Sequence, residues 1–141
     1  MTDAIRVLFP VGMLGGGFPP ETVARGIELG ADIIAVDGGS TDSGPHYLGT
    51  ATAKTASAAV ERDLRVLVPA AHDAGIPLVV GSCGTSGCDA GVDWVYDIVE
   101  GLCTELGITR KVTRIYAEQD PRTSCSCSPR AGSTRSAPPT S

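Results

Sequence analysis

Aromatic side chains are scarce in this chain, at 4% of residues, so its interior has to be built from Val, Ile, Leu and Ala. That composition suits parallel strands covered by helices. No apolar run approaches the roughly 18 residues that a membrane-spanning helix needs, and no membrane partner is expected. Cations are few and unclustered: 11 Lys and Arg stand against 16 Asp and Glu, a net charge of −5. Phosphate backbones are bound by clustered cations, so nucleic acid is not an expected partner. The opening residues, Met1-Thr2-Asp3-Ala4-Ile5-Arg6, lack the basic-then-apolar order of a secretory signal. The expected location is cytoplasmic, where the five cysteines read as thiols before they read as disulfides.

Glycine is abundant, at 18 residues, and falls in short bursts between apolar runs, the pattern of tight strand-to-helix turns. Ile5–Phe9 reads as a first strand, followed by the turn Gly12–Gly17. Pro19-Pro20-Glu21 opens a helix, since Pro is tolerated in a first turn and Glu suits its positive end. Val23 and Ile27 fall on its buried face and Gly30 stops it. Asp32–Val36 is the second strand. A long helix is expected over Ser57–Ala74, with Val60, Leu64, Leu67 and Ala71 at helical spacing and Pro69 kinking or splitting it. Ile76–Gly81 is the third strand. Gly91–Leu106 is the third helix, burying Val95, Ile98, Leu102, Leu106 and Cys103, and Lys111–Tyr116 is the fourth strand.

The order is βαβαβαβ, which predicts one α/β domain over residues 1–120: a four-stranded, parallel, Rossmann-like sheet with right-handed crossovers. After Pro121 the character changes. Residues 121–141 carry three Arg, no acid and no Val, Ile, Leu, Met or aromatic residue. Such a segment is expected to be disordered. Its Arg, Ser, Pro, Thr and Cys mixture is also what a GC-rich gene yields when translated out of frame. On that expectation Cys125 and Cys127 are accidents, and the structured protein continues past Asp120 in another frame.

Parallel α/β sheets bind ligands at the carboxyl ends of their strands, which here carry three polar loops. The central one is Asp37-Gly38-Gly39-Ser40-Thr41-Asp42-Ser43-Gly44-Pro45-His46-Tyr47-Leu48-Gly49. Gly38 and Gly39 permit close backbone approach and an anion-binding nest, and Ser40 and Thr41 add hydroxyl donors. Asp37 and Asp42 have the chemistry to hold a divalent cation, to bind substrate hydroxyls or to act as a base, and His46 can transfer protons. Against this stands an Asx-rich turn that satisfies its own backbone. The loop Ser82–Asp89 precedes a helix, so Ser82, Gly84 and Thr85 are candidates for an anion cradle. Cys83, near that positive end, is a candidate for a lowered thiol pKa, although packing as a small thiol is the simpler expectation. Cys83 and Cys88 lack a second Cys/His pair, so no metal site is assigned. Gly16 in the first turn and Glu118 after the fourth strand complete the expected binding set. His72 is expected at a helix terminus. No cofactor is identified from the sequence.

Two short likenesses fit poorly. Ile33–Thr41 resembles the first phosphate loop of the sugar-kinase, Hsp70 and actin superfamily, but that motif sits on a β-hairpin and this one follows a βα unit. Gly12, Gly15, Gly16 and Gly17 with Asp37 beyond them resemble a dinucleotide-binding turn, without the G-x-G-x-x-G spacing. A longer likeness covers more. Leu14-Gly15-Gly16-Gly17-Phe18, the whole Asp37–Gly49 motif and Gly81-Ser82-Cys83-Gly84-Thr85 together resemble the N-terminal part of the acyclic terpene utilisation (AtuA-like) proteins, through Glu118-Gln119. That family's members are longer. The resemblance implies catabolism of acyclic terpenes such as citronellol and geraniol, or of branched acids, as acyl-CoA derivatives. Members often carry small residues where Cys83 and Cys88 stand, which argues against a thiol mechanism. The expected ligand is a small anionic molecule. The expected macromolecular partner is another copy of the chain or the C-terminal region of a longer form. The rival functions are a non-catalytic ligand-binding or scaffold subunit and a nucleotide-binding α/β domain. As a fragment, the chain is expected to be inactive alone.

Overall fold

The computed structural model describes residues 4–119 and Arg122. The expectations for the rest of the segment 121–141, Cys125 and Cys127 included, lie outside the described residues. The chain is α/β, in the order β1 (Val7–Leu8), α1 (Pro20–Glu28), β2 (Ile33–Asp37), α2 (Pro45–Thr50), α3 (Ser57–Ala74), β3 (Leu78–Gly81) and α4 (Asp89–Leu106). A turn of 3-10 helix, Thr41–Ser43, precedes α2. The strands form one parallel sheet in the order β1-β2-β3, with Leu8 opposite Ile34, Ile34 opposite Leu78 and Val36 opposite Val80.

Local chemistry explains the boundaries. Helix α1 starts with Pro20 at its first position and carries Glu21 in its first turn. Helices α3 and α4 end on Gly75 and Gly107, whose positive φ of 69° and 65° suits the left-handed cap that glycine enters without steric cost. Helix α4 begins two residues earlier than the apolar spacing alone predicts, because Cys88 caps it: its Sγ accepts from the Gly91 amide at 3.4 Å. Pro69 does not split α3, which runs unbroken from Ser57 to Ala74. Buried Leu64, Leu67, Val68 and Ala71 lie on both sides of the proline, and that shared packing holds the two halves together. Leu106, expected in the core, is 40% exposed on the final turn of α4.

Helices α1, α3 and α4 form one layer. Sequential strand order with right-handed crossovers places α1 and α3 on the same face of the sheet. Helix α3 packs against β2, β3, α1 and α4. The core lies in between: Ile34 and Val36 from β2, Val60, Leu64, Leu67 and Ala71 from α3, and Val95 and Leu102 from α4 are all buried. Val7 and Val79, at the opposite alternation, remain 47% and 48% exposed. Parallel sheets are ordinarily covered on both faces; among the described residues this one is covered by helices on one.

The fourth strand is not in the sheet, which has three strands among the described residues. Segment 111–116 has no regular structure and is exposed throughout. Its alternation gives the reason: Lys111, Thr113 and Ile115 share one side and Val112, Arg114 and Tyr116 the other, so neither side is apolar along its length. Side chains hold the segment instead. Arg110 donates to His72 Nδ1 at 3.0 Å and to the Ala71 carbonyl at 2.7 Å. Arg114 and the Tyr116 hydroxyl both donate to Asp93. This stretch is a strap over the ends of α3 and α4.

Because the core is one layer deep, truncating its centre is costly. Leu64→Ala is expected to lower stability by about 2–5 kcal/mol, read from urea unfolding, whereas Val79→Thr on the bare face shifts it by less than about 1 kcal/mol and lowers binding of an apolar dye such as ANS.

Candidate functional site

The three polar loops meet at the carboxyl end of the sheet, each carried there by the strand before it. The Leu14 amide donates to the Asp37 carbonyl at 2.8 Å, joining the first loop to the second. The Gly38 amide donates to the Gly81 carbonyl at 2.6 Å, joining the second to the third. A methyl group at Gly39 would come within 2.5 Å of Thr85 Cα, and one at Gly38 within 3.0 Å of Cys83 Cα. At these two positions the loops touch so closely that no side chain fits.

The first loop is organised by a residue outside all three. Asp63 of α3 is 2% exposed, and its Oδ2 accepts from the Gly15 amide at 2.7 Å and the Gly17 amide at 3.1 Å. Arg62 donates through Nε and Nη2 to the other oxygen, at 2.9 and 2.8 Å. A buried carboxylate has to be paired and hydrogen-bonded to be tolerated, and this one has two amides and a guanidinium. The amides of the glycine turn that would face a phosphate in a dinucleotide site are thus engaged by the protein's own carboxylate. Gly16, between them, is exposed.

The second loop satisfies much of itself. Asp37 Oδ1 accepts from the Gly39 amide at 2.9 Å and the Ser40 amide at 2.6 Å, an Asx-type turn. The Ser40 hydroxyl donates to Asp42. Thr41 opens the 3-10 turn beside them. His46 stands apart on α2, exposed, with its ring edge-on to Tyr47 at 5.2 Å. No described hydrogen bond links its imidazole to Asp37 or Asp42. The structure gathers the two carboxylates into one loop without joining the imidazole to them.

The third loop is the most compressed. Gly84 would place a methyl within 2.9 Å of Gly91 Cα. Thr85 is 1% exposed, and its Oγ1 accepts from the Lys54 amide at 2.9 Å. Ser82 is half-buried. Backbone strain concentrates where the second and third loops meet. Of the four non-glycine residues at positive φ among the described residues, Ser40, Ser82 and Thr85 stand there, with φ of 56°, 47° and 70°, and Ala51 ends α2; L-residues rarely enter this region, a β-branched residue least of all. Glu118 lies on the neighbouring helix end, where its Oε1 accepts from the Asp89 amide at 3.3 Å.

Cys83 does not have the lowered pKa that a helix N-terminus would give. Its thiol is buried beside Val80, donating to that carbonyl at 3.5 Å. Burial pushes its pKa up, and the Asp37 carboxylate adds to the rise. The thiol therefore stays protonated near neutral pH and is a packed core group.

Two hollows are present elsewhere. One of about 410 Å³ lies between α1 and α3, lined by Val23, Ile27, Val66 and Ala70. The other, of about 650 Å³, runs along the outer edge of β3 and reaches Ser82, Cys83 and Gly87 from behind. Among the described residues no group of three or more His, Cys, Asp or Glu is placed to hold a metal ion, and no helix is long and apolar enough to cross a membrane. No protein-family model, no curated protein and no solved structure matches the chain.

Asp63 is the residue that sequence reasoning missed, and its signal was present. It lies three residues after Val60 and four before Leu67, so a carboxylate interrupts the apolar stripe of an amphipathic helix. Asp63→Ala is expected to destabilise the chain by about 3 kcal/mol, with lost amide protection at Gly15 and Gly17 in hydrogen exchange. Cys83 supplies a pH test. Its folded-state pKa is raised, so the stability it contributes is full below the ordinary thiol range near 8.5 and is lost as pH rises above it. Urea unfolding at pH 7 and pH 10 is expected to show a smaller alkaline loss for Cys83→Ala than for the parent.

Proposed function

We propose that this chain is the N-terminal α/β unit of an AtuA-like protein of acyclic terpene or branched-acid catabolism, and that it binds a small anionic substrate, an acyl-CoA derivative, on the joined second and third loops. The observation that carries this reading is the cluster of three non-glycine residues in left-handed backbone, Ser40, Ser82 and Thr85, at one junction. Strain of this kind costs on the order of 1–3 kcal/mol per residue and gathers at ligand sites. Around the junction stand Gly38, Gly39, Ser40, Thr41, Ser82, Gly84 and Thr85 as the binding set, with Gly16 and Glu118 at its margins. The three strands are taken as part of a larger Rossmann-like sheet. In this reading Asp37 or Asp42 is the base and His46 the proton carrier.

A non-catalytic ligand-binding subunit is the second reading, and a specific observation favours it. Asp37 already accepts from two amides of its own loop, and Asp42 from Ser40. Asp37→Asn separates the two, because the amide oxygen of Asn keeps the acceptor for Gly39 and Ser40 and so preserves the turn. In a full-length relative that carries this loop, loss of turnover by about a hundredfold with unchanged unfolding makes Asp37 the base; unchanged turnover makes the site a binding module. Calorimetric titration with the CoA thioester of a citronellol-derived acid tests binding itself. Ser82→Gly is expected to weaken it while raising stability by about 1 kcal/mol; no binding by the parent chain removes the proposed substrate.

A further inference from the structure

Helix α4 lies beyond the sheet. It packs on α3 and closely approaches none of the three strands among the described residues, so the place on the sheet that it would cover is empty. That place is bounded on one side by β3. Ile34 N–H takes the Pro77 carbonyl and Gly38 N–H takes the Gly81 carbonyl, so the odd-numbered residues of β3 direct their main-chain groups at β2. The main-chain N–H and C=O groups of Leu78 and Val80 therefore point outward, the Val80 carbonyl already taking the weak Cys83 thiol donor at 3.5 Å. On the other side runs the strap, which is tied to α3 and α4 by the side chains of Arg110, Arg114 and Tyr116 and forms no ladder with β3. The groove between them holds about 650 Å³ and is walled by Leu78 and Val80 and floored by Val92, Val95 and Val99.

We propose that this groove is the docking site for one extended strand of another polypeptide, apolar on the side it buries and acidic where it meets the strap. A residue of packed strand occupies about 3.3 by 4.8 by 10 Å, roughly 160 Å³. The groove thus takes about four residues, and β3 has 4. Outward-facing main-chain groups supply the hydrogen bonds of β-augmentation, and the valine floor supplies side-chain pockets. Charge selects the occupant. Arg110 donates only to neutral acceptors, and Lys111 has no carboxylate partner among the described residues; both line the groove. The chain's own residues 121–141, with three Arg, no acid and no large apolar residue, match neither the rim nor the floor. A second copy would bring a whole sheet to an edge that the strap walls off, leaving room for a single strand.

The test uses the full chain and a fluorescent, acetylated octapeptide of alternating glutamate and valine, followed by anisotropy. Saturable binding is expected, weakened at least about tenfold by Lys111→Glu, an exposed change that leaves the circular dichroism and unfolding midpoint as they were. The same peptide with N-methylated valines, which lacks those main-chain donors, is expected not to bind. Three results overturn the proposal: no binding of the octapeptide, equal binding of a lysine–valine octapeptide, or a sedimenting dimer of the chain that Val112→Asp, a change at an exposed position of the groove wall, returns to monomer, which would give the groove to a second copy.

Discussion

A single buried carboxylate decides how the carboxyl end of this sheet is built. Asp63 sits among the apolar residues of α3, and its negative charge is tolerable there only because two glycine amides and the Arg62 guanidinium surround it. The first loop is folded around that requirement. Its glycines are needed where the backbone must turn its amides inward, and Gly15 and Gly17 adopt φ of 91° and 75° to do so. From the fixed first loop, the Leu14 amide reaches the Asp37 carbonyl and sets where the second loop begins. The electrostatic need of one helix residue is thereby passed to two loops.

The same reasoning changes what glycine-rich turns mean here. Successive amides in such turns make anion nests, and a phosphate is one way to fill them. In this chain a carboxylate from α3 fills the first. The third loop differs: its glycines are demanded by contact, since Gly84 backs directly on Gly91 at the start of α4. Strained, non-glycine backbone at Ser40, Ser82 and Thr85 marks the junction, where the Ser40 hydroxyl holds Asp42 and the Thr85 hydroxyl holds the Lys54 amide.

Much of the fold was legible because period and punctuation agreed. Val60, Leu64, Leu67 and Ala71 announced α3, Gly75 and Gly107 marked helix ends, and the apolar runs at Ile33–Val36 and Leu78–Val80 located the two longer strands. What was not legible depended on tertiary partners. Lys111–Tyr116 has strand-like residues, but its alternation leaves neither side apolar, and its tethers, Arg110 to the end of α3 and Arg114 and Tyr116 to Asp93, come from distant residues that spacing does not reveal. Leu106 has helical spacing, but the core ends before it. Pro69 predicts a break that the packing of Leu67, Val68 and Ala71 overrides. In the candidate site, the polar composition of the second loop was plain. The Asx turn that stood as the alternative there is what Asp37 forms, whereas the separation of His46 was not legible, because it is set by backbone dihedrals rather than by residue type.

The third loop has two sides. Gly38 and Gly39 press on one through Cys83 and Thr85, while Ser82, Cys83 and Gly87 form the end wall of the groove along β3 on the other. One thin, strained layer of chain therefore lies between the groove along β3 and the junction of the second and third loops. Hard contact across such a partition makes the two places thermodynamically linked. Whatever shifts the third loop from the groove side also shifts Gly38 and Gly39, which press on it, and by reciprocity the effect runs equally in reverse.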